Sequence, residues 1–74
     1  MDFETFKNEF LMACDFIEEP IIEETTRFDG LADFDSLAML GVIVLLETKF
    51  NKQVSGEAVM NLATVKALYE HAIK

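Results

Sequence analysis

The ten residues Leu37–Leu46 form the longest apolar run in the chain, and they limit what it can fold into more than any other feature. The run is only half as long as the roughly 20 apolar residues that a bilayer-spanning helix requires, so it has to be buried within a folded domain. A helix over residues 36–50 accounts for it. Met39, Val42, Ile43, Leu46 and Phe50 then make an ordinary core face. The opposite stripe, Leu37, Leu40, Gly41, Val44 and Thr48, is also apolar. A helix that is hydrophobic all round should be buried all round, yet a 74-residue domain leaves much of its surface exposed. Part of the outer stripe therefore either lies under a loop or meets a partner. Gly41 costs this helix about 1 kcal/mol relative to alanine, which close approach of another backbone would explain.

The remaining elements follow from spacing and punctuation. Phe3, Phe6, Phe10, Cys14 and Ile17, widened by Leu11 and Ala13, follow helical spacing and predict a first helix over residues 3–17. Asp2 is its expected N-cap and Glu18-Glu19-Pro20 its expected end. Residues 18–35 read as a loop with seven acids, held down by Ile21, Ile22, Phe28, Leu31 and Phe34. Asp35 or Ser36 caps the second helix, and Asn51 ends it in a left-handed conformation. Ser55 caps a short helical turn over 56–62. Thr64 caps a final helix with Val65, Leu68, Tyr69, Ala72 and Ile73 on one face. No strand is expected, since Gln53-Val54 is too short. The predicted fold is all-α: one domain over 1–74, a bundle of three main helices plus a short one.

The formal net charge is −8, and residues 1–35 hold 11 of the 14 acids against only Lys7 and Arg27. Nucleic-acid binding needs a basic patch, which is lacking, and an anionic membrane surface would repel the N-terminal half. A basic protein partner is the natural complement. Cys14 is the single cysteine and lies on an apolar face, so it is expected in the core, in a reducing cytoplasmic setting. Met12, Met39 and Met60 are expected as core filler. Asp29, Asp33 and Asp35 near Gly30 lack the spacing and closing glutamate of a calcium loop, and no metal site is expected. His71, the only histidine, suits a helix C-terminus. Ser36, His71 and an aspartate could nominally form a triad, but no nucleophile elbow is present, so the chain does not read as an enzyme.

Asp35-Ser36-Leu37 sits where the acidic loop meets the second helix. With the preceding Phe28-Asp29-Gly30-Leu31-Ala32-Asp33-Phe34, with Glu47 and Phe50 at the end of that helix, and with Thr64-Val65 and Leu68 opening the last one, it resembles the acyl carrier protein family over essentially the whole chain. The resemblance implies that Ser36 accepts 4′-phosphopantetheine from coenzyme A through a phosphopantetheinyl transferase and Mg²⁺. The arm would carry acyl cargo as a thioester to enzymes of fatty acid, polyketide or related biosynthesis that offer basic or apolar docking patches. The helix N-terminus favours a phosphodiester by its partial positive charge. A plain N-cap is the bland alternative for Ser36. By the same resemblance Asp35 and Leu37 serve transferase recognition.

Relatives often carry acids where this chain has Ala38, Gly41 and Thr48, and Lys49 reverses the sign. Docking is therefore expected through Leu37, Leu40 and Val44 with Glu47, rimmed by the loop acids Asp29 and Asp33. Such a carrier would be a specialised, free-standing monomer. The rival reading is an unmodified helical adaptor that binds a protein through the same apolar strip.

Overall fold

Each helix begins at a residue whose side-chain oxygen accepts an otherwise unpaired N–H of the first turn. In the computed structural model, which describes all 74 residues, Asp2 accepts from Thr5 N at 2.8 Å and starts α1, Phe3–Cys14. Asp35 accepts from Ala38 N at 2.9 Å and starts α2, Ser36–Phe50. Ser55 and Thr64 do the same, each at 3.1 Å, for α3, Gly56–Leu62, and α4, Val65–Ala72. A 3-10 turn, Phe28–Gly30, is the only helical piece of the long loop, and there is no strand. The all-α bundle read from the sequence is what forms, although α4 has only one residue more than α3.

α1 is shorter than its spacing suggested. It ends at Cys14 because Asp15 turns left-handed (φ 52°, ψ 53°), five residues before Pro20. The chain then folds back, bringing Phe16 against Phe10, and leaves Ile17 exposed off the apolar stripe it seemed to continue. Asn51 closes α2 in the left-handed conformation, as expected.

The core is built on Phe6, Phe10, Phe28, Val42, Leu46, Val59, Val65 and Leu68, all essentially inaccessible to solvent. Phe10 lies 6.1–6.3 Å, centroid to centroid, from the rings of Phe16, Phe28 and Phe34. Such aromatic contacts add about 0.5–1.5 kcal/mol each beyond the area they bury. The loop is therefore held down, as expected, by Ile22, Phe28, Leu31 and Phe34. Ile21 is not one of its anchors and is exposed. Backbone bonds strap the same loop to the α3–α4 joint: Phe28 N–H donates to Ala63 O at 2.9 Å and Val65 N–H to Thr26 O at 3.1 Å. Ala63 pays for this in conformation, with a φ of 70° that alanine rarely adopts.

α2 turns a different arc to the core than either stripe described. Ala38 and Leu45 are buried with Val42 and Leu46, while Met39, Ile43 and Phe50 are only half-buried. Ala38 is thus a core residue, and its lack of charge says nothing about docking. Met12 and Met60 are exposed instead of filling the core, and Ile73 lies exposed just past the end of α4.

Gly41 explains itself where α1 and α2 touch. A Cβ there would stand 2.9 Å from the carbonyl carbon of Ala13 and closer still to its oxygen. Both atoms are backbone, so nothing flexible can yield. Gly41→Ala gains about 1 kcal/mol of helix propensity but forces the helices apart, and overpacking of this kind costs about 1–3 kcal/mol. A lower melting temperature is expected in a circular-dichroism melt. A higher one would mean that the two backbones do not meet here.

Candidate functional site

Cys14 at the end of α1 and Ser36 at the start of α2 both carry nucleophilic side chains, and their surroundings divide them. Cys14 is buried, with its Sγ 3.8 Å from Ala38 O. Burial, and to a lesser degree the negative charge of Asp35, pushes its thiol up from an ordinary 9.0 to about 12. A thiol in that state is not a nucleophile near neutrality. It also sets a pH dependence. The unfolded thiol ionises near 9 and the folded one only near 12, so its contribution to stability is complete below the first value and is lost as pH rises through the second. Denaturant midpoints should therefore fall between pH 9 and 12. Cys14→Ala should flatten that slope; an equally steep fall in this variant would assign the effect elsewhere.

Ser36 is the first residue of α2 and is exposed. Because Asp35 makes the cap to Ala38 N, the Ser36 hydroxyl is not committed to the backbone. The choice between Asp35 and Ser36 as cap is thus settled for Asp35. The N–H groups at the start of α2 that precede Ala38 have no partner within the helix, and they give this end partial positive charge.

Beside Ser36 opens a groove of about 480 Å³ walled by Phe28, Leu31, Phe34, Met39 and Met60, with Asp29 and Asp35 at its polar edge. The Arg27 guanidinium holds Asp29 in a surface ion pair, 3.1 and 3.3 Å to its two oxygens. Asp33 lies apart, in a hollow formed with Phe16, Glu18, Glu19 and Pro20. On the far flank of α2, Leu37 is 76% exposed, Leu40 55% and Val44 47%, so the loop does not cover the outer strip. Glu47 is exposed one turn beyond Val44. The structure therefore brings Ser36, Asp35 and Asp29 together around one groove and sets Leu37, Leu40 and Val44 on another side. Sequence reasoning missed the α3 side of the first groove, because Met60 was assigned to the core.

Residues 12–72 match the family model described as the phosphopantetheine attachment site. No curated protein and no solved structure matches the chain. The residues at the start of α2 fit such a group. A surface hydroxyl can be esterified without removing the helix cap, the N-terminal dipole suits a phosphodiester, and an apolar groove lies alongside. Asp35 and Asp29 line the same groove and would oppose such an anion, which the helix end would offset.

Proposed function

The chain belongs to the phosphopantetheine-attachment family over residues 12–72, making it a phosphopantetheine carrier protein, and on that footing we propose that Ser36 is the residue that bears the arm. The observation that carries this reading is the exposed, uncommitted hydroxyl of Ser36 one residue inside a helix already capped by Asp35. In the proposed reaction the Ser36 oxygen bonds to the phosphorus that bears the pantetheine arm, the P–O bond of coenzyme A's pyrophosphate breaks, adenosine 3′,5′-bisphosphate leaves, and the hydroxyl proton is lost to the transferase or solvent. When bound, the group supplies a terminal thiol for the cargo. The chain contributes position, charge and a docking surface, and the chemistry belongs to visiting enzymes.

Asp35, Leu37, Leu40, Val44 and Glu47 are proposed to serve recognition by the transferase and by acyl-transferring or synthase enzymes, with Asp29 and Asp33 as outlying acids. The cargo is proposed to be an acyl intermediate of fatty acid, polyketide or related biosynthesis. The whole chain acts as one carrier domain, as a cytoplasmic monomer that is not itself an enzyme. No helix is long and apolar enough to cross a membrane. If the loop acids matter, neutralising Asp29 and Asp33 together should weaken partner binding more at low salt than at high salt. No change, while Glu47→Gln does weaken binding, removes them from the surface.

The test is intact-mass analysis after incubation with coenzyme A, Mg²⁺ and a broad-specificity phosphopantetheinyl transferase. Addition of one phosphopantetheine per chain is expected. No addition with several such transferases favours the unmodified adaptor, for which the exposed strip on α2 would be the binding face.

A further inference from the structure

A concave apolar groove of about 510 Å³ runs between α1 and α2. Its floor is the close approach of Gly41 to Ala13. Leu40 and Val44 form one wall and Met12 of α1 the other. Met12 is 71% exposed, although an apolar side chain of its size gains about 1.5–3 kcal/mol from burial. Only one ionisable side chain lines the groove, Glu9 of α1.

We infer that this groove seats a helix of the enzyme that acts at Ser36, and that the helix presents aliphatic side chains with Lys or Arg beside them. The inference rests on the attachment reading and extends the contact surface from α2 onto α1. Leu37, which follows Ser36 directly, lines the groove, so one end of it lies next to the residue that such an enzyme has to reach. From Leu37 to Thr48 the groove follows α2 for about 16 Å, at about 1.5 Å per residue, enough for three turns of a partner helix. On its own the strip of α2 is a convex ridge; Met12 converts it into a trough, and an unbranched thioether adapts to varied partner side chains.

Charge selects the occupant. Glu9 lines the groove, Glu47 is exposed on α2 one turn beyond Val44, and no base lines the groove. A second copy of the chain would set acid against acid, whereas a base-flanked helix is complementary.

The probe is a broad-specificity phosphopantetheinyl transferase, used in two ways. Amide shifts of the ¹⁵N-labelled chain, mapped against the transferase without coenzyme A, should change at Glu9, Met12 and Ala13 as well as along α2. Shifts confined to α2 and the loop would overturn the inference. In turnover, Met12→Asp should lower kcat/KM for modification by about tenfold or more, through KM, the scale of one well-packed contact of about 1.4 kcal/mol. Met12→Leu should restore it, and Glu9→Lys should lower it with a weaker salt dependence. Modification of Met12→Asp within about twofold of the parent would also overturn it, since so small a factor is below a contact's usual contribution. Failure of the parent to be modified would count against Ser36 as the attachment site, while the shift map still judges the groove.

Discussion

Ser36→Ala should abolish attachment of the arm and leave the melting temperature nearly unchanged. The two halves of this prediction come from one geometric fact. Asp35, not Ser36, accepts the N–H of Ala38, so the serine hydroxyl supports no cap and alanine in the first turn is at least as good a helix former. Substitutions at such surface positions stay within about 0.5 kcal/mol. Had Ser36 been the cap, its loss would cost about 1 kcal/mol, or a drop of about 4–8 °C in a domain this size. Mass analysis and a thermal melt on the same sample read both halves. A variant that melts several degrees lower would show that the hydroxyl is structural, and one that still gains mass would move the attachment elsewhere.

Phe10→Ala should leave the chain largely unfolded at room temperature. Phe10 is fully buried and its ring contacts those of Phe16, Phe28 and Phe34, which fold the loop onto the helices. Truncating a buried phenylalanine costs about 3–5 kcal/mol. A single core this small supplies roughly 3–5 kcal/mol in total, and the lone Cys14 leaves no disulfide to hold what remains. Loss of amide dispersion in the NMR spectrum and a weak, non-cooperative melt are the expected readings. A cooperative melt costing less than about 1 kcal/mol, the scale of a surface change, would mean that the aromatic cluster is not what holds the loop. The prediction extends to function, because the same loop supplies Phe28, Asp29, Leu31 and Phe34 to the groove beside Ser36.

Local chemistry made much of this legible in the sequence. The caps at Asp2, Ser55 and Thr64, and the span of α2 from Ser36 to Phe50, depend on a few adjacent residues and could be read from them. The end of α1 could not. Asp15 turns left-handed without an obvious breaker beside it, and Ile17 matches the helical period by coincidence. The orientation of α2 was hidden for a different reason. A helix apolar on every side carries no directional signal, so nothing local marks Ala38 and Leu45 as core; the packing of α1 onto α2 at Gly41 selects that side. Asp35-Ser36-Leu37 was readable because its parts are contiguous. The α1 wall of the second groove was not, because Met12 and Leu40 are brought together only by the fold.

The claim that the chain holds cargo as a thioester on an arm at Ser36 is tested most directly by loading it from acetyl-coenzyme A with a phosphopantetheinyl transferase and weighing the product. Mass should rise by one acetyl-phosphopantetheine, hydroxylamine should then remove the acetyl group alone, and Ser36→Ala should gain nothing. An unmodified parent, or a gain that survives in Ser36→Ala, would contradict it.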